Sequence, residues 1–447
     1  MRRSRSRNVF LLLGLALLGT ASAARAGVAV ARVYAAPGSR DQDDMCIWLH
    51  PTDKALSTII VSDKASGFVY VYDLAGSVLQ SFASGQPGNI DIRYGFVLGG
   101  QCVDVVAFNE RSSNTIRVYK VDAATRSLTR VDDGTIATGS NYGFTLYRHS
   151  SGQLYGFTGP SGGGTYRQYR LFDAGNGVVH GQPTTWAFNA TTVEGMVADD
   201  ELGWVYLAEE AAGIWRIDPM NAANATRIAT VGDASGLARD VEGLTVYHAS
   251  GPTGYLLASS QGVSHFTVFR REPPHTPVGN FSLNGVGLTD GIDVSNVDLG
   301  PLYPKGVFTA HNGLACCPVV AARWDSVAAA LGGLLVDTGS WDPRHVCSPS
   351  DTRAPAVPLQ LGAVPNPFNP TTTIHFRLQA GGRTQLGVYD AAGRLVRRLL
   401  DAPASAGEHQ VGFDARDASG LPLPSGIYVV RLATETESSS CKLVLSK

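Results

Sequence analysis

Short hydrophobic runs, separated by polar and glycine-rich turns, recur along the first three-quarters of the chain. Runs of this length, rich in β-branched and aromatic residues and bounded by Gly, Asp or Asn, predict β-strands. Six of them fall at comparable positions of a repeating unit, which predicts one kind of β unit used six times. The runs are residues 59–61, 103–108, 154–157, 205–208, 255–258 and 307–310.

A polar marker residue precedes each run by about 11 to 15 positions, and consecutive markers are about 50 positions apart. Five of the six markers are acidic. A self-similar period of this length with β composition is typical of a propeller in which each period is one four-stranded blade. The sequence therefore predicts an all-β, six-bladed propeller. The markers are Asp44, Asp91, Tyr142, Glu194, Glu242 and Asp293.

The two kinds of strand predict where the acidic residues meet. In a propeller the first strand of a blade lines the central channel and the second runs antiparallel to it, so the first begins where the second ends. The second strands end in polar groups that include Lys64, Glu210 and Gln261. Two carboxylates about 5 Å apart repel each other by roughly 3 kcal/mol at an effective dielectric near 20. Such a ring either raises its pKa values or binds hard cations, and we favour cations.

Composition narrows the function classes. The chain has 447 residues and a formal net charge of −2, so no global field directs it to nucleic acid or to anionic membranes. Residues 1–26 combine an arginine-rich start, an apolar run and small-residue frames that permit cleavage after Ala23 or Ala26, which predicts a signal peptide. No later apolar run is long enough for a membrane span. We expect a secreted or cell-surface protein.

The six cysteines suit an oxidising compartment, and none has the spacing of a zinc or redox site. Cys46 and Cys102 fall in neighbouring units, so a disulfide between them requires that the blades bring them together. Either of the adjacent cysteines 316 and 317 is a second candidate partner for Cys347, and Cys441 is left alone. None of the ten histidines has metal-ligand spacing.

The chain divides by pattern into residues 27–347 (the propeller), 348–361 (a proline-rich linker) and 362–447. Residues 325–335 are either a short helix or the closing strand of the propeller. The last segment alternates apolar and polar residues in four short strands, which predicts a small immunoglobulin-like sandwich. Three of its motifs, Val364-Pro365-Asn366-Pro367-Phe368, Tyr389-Asp390-Ala391-Ala392-Gly393 and Ser425-Gly426-Ile427-Tyr428, resemble FlgD-type domains. They also resemble C-terminal sorting domains of type IX secretion; the alternative is a plain accessory sandwich.

The first segment resembles the calcium-dependent β-propeller phytases of the 3-phytase type. The resemblance rests on an ordered series of motifs: Asp43-Asp44 before Ile47-Trp48-Leu49-His50-Pro51, Asn89 to Tyr94, Glu194 to Glu201, Tyr206 to Glu210, Asp240 to Val246, and Asp290 to Val294. It implies hydrolysis of phosphate monoesters of myo-inositol hexakisphosphate, met as a calcium complex, by water that Ca²⁺ activates. We expect a monomer that binds no nucleic acid, with the type IX machinery as a candidate partner of the C-terminal domain.

The resemblance also assigns roles to residues. It implies catalytic carboxylates at Glu194, Glu210 and Glu242, and phosphate contacts at Lys64, Arg93, Arg111 and Tyr142. The implied ligands of several Ca²⁺ ions are Asp43, Asp44, Asp91, Glu194, Glu209, Glu210, Asp240, Glu242, Gln261, Asp290 and Asp293.

Three departures qualify the resemblance. The third-blade run from Thr158 to Gly164 lacks the Lys-Glu pair of the family, the sixth blade has His311 followed by Asn312 where an acid is expected, and Glu110 is an extra residue before Arg111. Two other functions stay open from the sequence. One is a calcium-dependent propeller hydrolase of another class, such as a lactonase, and the other is a non-catalytic, calcium-dependent binding propeller.

Overall fold

The computed structural model describes residues 27–314, 318–346, 360–378, 382–390, 393–405, 407–434 and 438–446. It divides into two compact units, Met1–Cys347 and Ser348–Lys447, and each is described by itself. The predicted signal peptide and most of the predicted linker lie outside the described residues. Among the described residues, helices are few and short, and none has the length and apolar character needed to cross a bilayer.

The first unit begins with two short strands, β1 (Gly27–Val28) and β2 (Arg32–Tyr34), and continues through blades one to three. Blade one consists of β3 (Asp44–Trp48), β4 (Thr58–Asp63), β5 (Phe68–Asp73) and β6 (Val78–Ala83). Blade two consists of β7 (Pro87–Leu98), β8 (Gln101–Glu110), β9 (Thr115–Asp122) and β10 (Ser127–Arg130). Blade three consists of β11 (Gly143–Arg148), β12 (Leu154–Gly159), β13 (Tyr166–Asp173) and β14 (Val179–Trp186).

Blades four to six repeat the same antiparallel order. Blade four consists of β15 (Val193–Asp199), β16 (Trp204–Glu209), β17 (Gly213–Asp218) and β18 (Asn221–Thr230). Blade five consists of β19 (Val241–His248), β20 (Gly254–Ser260), β21 (His265–Arg270) and β22 (Pro277–Leu283). Blade six has β23 (Ile292–Ser295), β24 (Val307–His311) and β25 (Val319–Arg323), followed by helix α1 (Trp324–Ala330).

The start of the chain closes the ring. β2 pairs antiparallel with β25, with Arg32 opposite Ala321, and supplies the fourth strand of blade six. β1 adds a parallel fifth strand beside β22 of blade five. Residues 325–335, for which the sequence left open a helix or the closing strand, begin with α1, and the closing strand is β2 instead. The predicted six-bladed propeller is confirmed, and every second strand lies where its hydrophobic run predicts it.

Residues 335–346 lie at the end of the channel where the first strands finish. Leu335 and Asp337 donate their backbone N–H groups to the hydroxyls of Tyr255 and Tyr247. The Trp341 ring stacks on His248 with centroids 3.9 Å apart. The guanidinium of Arg344 is paired with Asp104 at 2.6 Å. Residues 335–346 cover this end of the channel, so the opposite end, where the first strands begin, is the candidate location of the functional residues.

The disulfide considered between Cys46 and Cys102 is wrong. Cys46 is a free, buried thiol on β3, whereas Cys102 on β8 is disulfide-bonded. The two cysteines lie on strands of different blades, Cys46 in blade one and Cys102 in blade two. Cys441 is free, as its isolation in the sequence suggested. Cys316, Cys317 and Cys347 lie outside the described residues.

The second unit is a sandwich of two antiparallel sheets, with strand orders β26-β27-β30 and β29-β28-β31-β32. Ile374, Leu386, Val430 and Leu432 are among the residues of its core. Alternation along the strands buries these side chains between the sheets, as the sequence predicted. The strands are β26 (Gln360–Val364), β27 (Thr372–Leu378), β28 (Gly382–Asp390), β29 (Leu395–Ala404), β30 (Gly407–Phe413), β31 (Gly426–Thr434) and β32 (Ser438–Leu445).

Candidate functional site

One end of the propeller gathers charged and polar side chains from all six blades. They come from the starts of the first strands, from the residues just before them and from the ends of the second strands, which share this face. We call the set the mouth cluster. It consists of Asp41, Asp43, Lys64, Arg111, Tyr142, Glu194, Glu210, Glu242, Gln261, Asp290 and His311.

Glycines explain how the first strands approach one another so closely at this end. A Cβ atom on Gly195 would lie 1.8 Å from the carbonyl oxygen of Glu242, and one on Gly243 would lie 2.4 Å from that of Asp290. The pairing register of β15 shifts between Val193 and Met196, and β19 has an equivalent shift. Such bulges turn a side chain out of the regular alternation. The Glu-Gly pairs recognised in the sequence are therefore the places where a carboxylate is turned into the mouth.

Three glutamates from two neighbouring blades form the centre of the cluster. Carboxylate oxygens of Glu194, Glu210 and Glu242 lie within 4.8 Å of one another. Glu194 and Glu242 are only 5% and 6% exposed. Burial, and then the charges of Glu194 and Glu210, raise the pKa of Glu242 to about 10. Burial and the charge of Glu194 also raise the pKa of Glu210. Without a cation, this group therefore retains a proton near neutral pH.

Lys64 sits among the carboxylates on the other side of the mouth. Its Nζ lies 2.5 Å from Asp43 Oδ1, 3.2 Å from Asp290 Oδ2 and 3.6 Å from Asp41 Oδ2. Burial lowers the pKa of Lys64, but the charges of Asp43 and Asp290 outweigh it and raise the pKa overall. Burial and the neighbouring Asp43 raise the pKa of Asp290 to about 7. Gln261 Nε2 donates to the second oxygen of Asp290 and so connects blades five and six.

Arg111 links blade two to the glutamates. Its Nη2 donates to Glu194 Oε1 at 2.7 Å and to the carbonyl oxygen of Tyr142 at 3.2 Å. The guanidinium also lies over the Tyr142 ring, 4.5 Å from its centroid. The extra residue Glu110 does not turn Arg111 away. Its carboxylate accepts from Gln86, Ser112 and Ser113 in a tight turn. These hydrogen bonds outweigh partial burial and lower the pKa of Glu110 to about 2.

Three predicted calcium ligands lie inside the channel and bridge adjacent blades. Asp44 Oδ2 accepts from the backbone N–H of Ile90 at 3.0 Å, and Asp91 Oδ2 accepts from that of Leu146 at 2.9 Å. Asp293 Oδ2 accepts from the N–H of Ile47 at 2.9 Å. Burial raises the pKa of Asp293 to about 7. Burial also raises the pKa of Asp44 well above its usual range. The carboxylates of these three residues therefore accept hydrogen bonds from backbone N–H groups.

Arg93, expected to contact phosphate, also faces the channel. It is paired with Asp91 at 2.8 Å and Asp200 at 2.7 Å, and it donates to the carbonyl oxygens of Leu146 and Ala198. The structure thus does not bring Arg93 together with Lys64 and Arg111. Its donors are used to join blades two, three and four.

The two remaining predicted ligands lie beside the cluster. Glu209 accepts from Thr191, from Trp215 Nε1 at 2.9 Å and from Arg227 at 3.0 Å, so its carboxylate is committed to blade four. Asp240 is exposed on the rim and adds its negative charge near Glu210. Of the adjacent acids 209 and 210, only Glu210 faces the other glutamates.

Sequence reasoning missed Asp41 and His311. Asp41, His311 and Asp290 each have one potential ligand atom within 4.8 Å of the other two. His311 is the last residue of the second strand of blade six, and Lys64 and Gln261 directly follow the second strands of their blades. The phase of the repeat was therefore a signal that could have identified His311. Asp41 lies two residues before Asp43, which places it on the same side of an extended segment.

The mouth cluster has the features of a metal site. Asp43 Oδ2 and Glu242 Oε2 are buried and make no hydrogen bond, which is costly unless another group satisfies them. All the potential metal-ligand atoms of the three glutamates are oxygens, which suits a hard divalent cation. The acidic groups of the described residues could therefore hold metal ions.

Comparison with known proteins agrees with this geometry. Residues 19–345 match the family model described as Phytase, and residues 367–438 match the FlgD Ig-like domain. The 3-phytase of Bacillus subtilis (strain 168) is 38% identical over 295 residues, which cover 62% of this chain and 76% of that protein. The lactonase and binding-propeller alternatives are not favoured by these matches.

Among solved structures, a luciferin-regenerating enzyme has a TM-score of 0.45 at 12% identity, covering 65% of this chain and 95% of that one. Regucalcin from Agrobacterium tumefaciens has a TM-score of 0.44 at 11% identity, covering 70% and 98%. Similarity at these scores does not identify the family, whereas the sequence matches span most of the propeller. The chain belongs to the phytase family.

Proposed function

We propose that this phytase hydrolyses the phosphate monoesters of myo-inositol hexakisphosphate at the mouth cluster, with Ca²⁺ held by its carboxylates. One observation carries the proposal: Glu194, Glu210 and Glu242 meet within 4.8 Å, and Glu242 Oε2 is buried without a hydrogen-bond partner. Three carboxylates at this distance need a cation to be ionised together. A substrate with up to six phosphate groups likewise needs positive charge before it can approach them.

The residues divide into two roles. Glu194, Glu210, Glu242, Asp43, Asp290 and Gln261 would hold Ca²⁺. Bound there, Ca²⁺ supplies charge neutralisation and lowers the pKa of a water molecule. Arg111 and Lys64 would bind phosphate oxygens, with Tyr142 as a further contact. Asp44, Asp91, Asp293, Arg93 and Glu209 are left out of these roles because their polar atoms serve inter-blade or intra-blade contacts.

Glu194 is the best-placed general base. It is buried, its Oε1 accepts from Arg111 at 2.7 Å, and it lies beside both other glutamates. A water oxygen forms a bond to phosphorus while the ester P–O bond breaks. The water proton passes to the carboxylate, and the inositol oxygen leaves and takes up a proton. The products are inorganic phosphate and the inositol with one phosphate fewer.

The protein reaches its substrate outside the cytoplasm in this proposal. Residues 1–26 read as an export signal, and the FlgD Ig-like match supports an appended C-terminal module at residues 362–447, after a linker at 348–361. We propose that this module serves the type IX secretion route and that the enzyme acts as a monomer. Deleting residues 348–447 should leave phosphate release unchanged and should retain the protein in the periplasm of a type IX host.

Phosphate release from calcium phytate at neutral pH tests the function. Wild-type enzyme should release phosphate, a chelator should abolish release, and added Ca²⁺ should restore it. Glu194→Gln, which keeps the size of the side chain, should lower kcat by at least about 100-fold. Calcium binding without phosphate release would identify a binding module instead. Hydrolysis of a lactone without release of phosphate would identify a hydrolase of another class.

A further inference from the structure

The Lys64 ammonium fills a pocket built from three carboxylates. We call it the Lys64 pocket, formed by Asp41, Asp43, Asp290 and His311. Nζ lies 2.5, 3.2 and 3.6 Å from oxygens of Asp43, Asp290 and Asp41. An ammonium group has three N–H donors. Two of them are used in hydrogen bonds to Asp43 and Asp290, and Asp41 is a third carboxylate within ion-pair distance.

The pocket holds more negative charge than one ammonium neutralises. Asp43 is 1% exposed and its Oδ2 makes no hydrogen bond, although Oδ1 contacts Lys64. His311 is 3% exposed, and its Nε2, 3.4 Å from Asp41 Oδ1, also makes no hydrogen bond. Buried polar atoms of this kind usually have partners. Arg111 Nη2 lies 3.9 Å from Asp43 Oδ2, which is too far for a hydrogen bond and leaves this oxygen able to take a second, closer cationic partner.

The imidazole orientation bears on what that cation is. His311 Nδ1 accepts from the backbone N–H of Asp290 at 3.2 Å, so the proton of the neutral ring lies on Nε2. Nε2 is then a hydrogen-bond donor toward Asp41 and has no lone pair for a metal. The remaining donors are carboxylate oxygens, which favour Ca²⁺ over a metal that prefers nitrogen ligands.

We infer that Lys64 and a divalent cation compete for the Lys64 pocket, and that a phosphate group which draws Lys64 out opens the pocket to the cation. The inference rests on the proposed function because it assumes that phosphate and Ca²⁺ meet at this mouth. Asp43 Oδ1 and Asp290 Oδ2 cannot satisfy Lys64 and a metal ion equally well at the same time. Lys64 is thus a resident counter-ion in the ligand-free enzyme and a phosphate ligand in the loaded one.

Competition of this kind couples the two ligands. If substrate removes the competing ammonium, it raises the affinity for Ca²⁺, and by linkage Ca²⁺ raises the affinity for substrate by the same factor. Ca²⁺ alone would bind this pocket weakly, and a polyphosphate without Ca²⁺ would find its cationic contact occupied. The device favours calcium-loaded substrate over either component alone.

Calorimetric titration of the full chain with Ca²⁺ tests the inference. Lys64→Met keeps side-chain length and removes the charge, and Lys120→Met, an exposed lysine on β9, is the matched control. Lys64→Met should bind Ca²⁺ at this pocket at least about tenfold more tightly, since each factor of ten corresponds to only about 1.4 kcal/mol. The control should match wild type. An unchanged isotherm for Lys64→Met would overturn the inference.

The coupling has its own readout. Myo-inositol hexasulfate, which is not a phosphate ester, serves as the polyanionic probe. It should tighten Ca²⁺ binding to wild type by about tenfold and have little effect on Lys64→Met, where the competitor is already absent. Equal tightening in both proteins would contradict the exchange of Lys64 between the two ligands.

A thermal measurement keeps the test decisive if the variant folds poorly without metal. Lys64→Met should have a lower Tm than wild type in chelator and a larger Ca²⁺-induced rise in Tm, because three carboxylates lose their counter-ion. An equal rise in the two proteins would count against the pocket. Phosphate release by wild type is measured separately. If wild type is inactive but Lys64→Met binds Ca²⁺ more tightly, the proposed function is refuted and the competition between Lys64 and Ca²⁺ still holds.

Discussion

The carboxylate of Asp293, on the first strand of blade six, accepts a hydrogen bond from the backbone N–H of Ile47, on the first strand of blade one, at 2.9 Å. The two residues are 246 positions apart in sequence, and the contact crosses the seam between the last blade and the first. Asp44 and Asp91 repeat the arrangement at the next two seams. The acidic period of the sequence therefore serves two purposes, since some carboxylates face the mouth and others join blades.

Asp293→Asn should destabilise the propeller. Asp293 also accepts from Thr245 Oγ1 at 3.0 Å, so both carboxylate oxygens are acceptors. The amide group of Asn places a donor against one of these donors, which costs about 1–3 kcal/mol for a buried group. Denaturant unfolding followed by tryptophan fluorescence measures the loss, because all six tryptophans lie in the propeller unit.

Asp298→Asn is the control for this substitution. Asp298 is exposed, and its carboxylate accepts from the N–H of Gly300 at 2.9 Å, a turn that Asn also supports. Its unfolding free energy should stay within about 0.5 kcal/mol of wild type. If Asp293→Asn instead lowered calcium affinity with stability unchanged, Asp293 would be a metal ligand rather than a seam residue.

Glu210→Gln should weaken calcium binding and phosphate release. Its carboxylate faces Glu194 and Glu242, and replacing it removes one charged ligand oxygen pair from a site of three acids. We expect calcium affinity to fall about 10- to 100-fold. Calorimetric titration with Ca²⁺ and the initial rate at saturating Ca²⁺ measure the two effects.

The adjacent Glu209→Gln is a matched control. Its carboxylate is held by Thr191, Trp215 and Arg227, so its loss should lower stability by about 1–3 kcal/mol. Calcium affinity should stay within about twofold of wild type. Equal loss of calcium affinity in both variants would mean that the two acids share the site, against the placement found here.

Removal of metal should make stability fall as pH rises. The folded pKa of Glu242 is raised from its usual 4.5 to about 10, and that of Asp290 from 3.8 to about 7. The folded protein then binds more protons than the unfolded chain between these values. In chelator, the unfolding free energy should therefore decrease, by about 2 kcal/mol or more between pH 5 and 8.

Calcium and one substitution check the cause of that slope. Saturating Ca²⁺ binds the ionised carboxylates and should flatten or reverse the slope, because metal binding favours the deprotonated form. Glu242→Gln cannot ionise and should reduce the slope in chelator. A stability that rises from pH 5 to 8 in chelator would show that the mouth glutamates are ionised without a cation.

The period of the sequence predicted the six blades because each blade is local, with strands joined by short turns. It did not predict how the ring closes. β2 has three residues, too few to show alternation, and its partner Ala321 lies almost 300 positions away. A pairing of this kind depends on the completed ring, which no local pattern contains.

Pairs of adjacent acidic residues limit how well the site can be predicted from the sequence. Alternation along a strand sends neighbouring side chains to opposite sides, so the pairs 43–44 and 209–210 each supply one residue to the mouth. Which one it is depends on register, and the first strands of blades four and five change register beside their glutamates. The sequence predicted Glu194, Glu242 and Glu210 for one mouth, where the structure brings their carboxylates together, but it could not separate them from Asp44 and Glu209.

Two bidentate ion pairs should contribute very different amounts to the stability of the protein, because only one of them is buried. Arg271 donates from Nε and Nη2 to Asp199 at 2.6 and 2.7 Å, joining blade five to blade four, and both side chains are fully buried. Arg323 binds Asp325 at 3.0 and 2.7 Å, but the two side chains are 41% and 34% exposed. Arg271→Met leaves a buried carboxylate unpaired and should cost about 3–5 kcal/mol.

Arg323→Met should cost at most about 1 kcal/mol, since water solvates both partners of an exposed pair. Tryptophan fluorescence during urea unfolding compares the two variants under the same conditions, with phosphate release as a check that the mouth is intact. Losses of equal size would mean that burial does not set the strength of these pairs. Because Asp199 also lies 3.8 Å from His248 Nε2, a protonated His248 can replace part of the lost charge. The Arg271→Met loss should therefore be smaller at pH 5 than at pH 8.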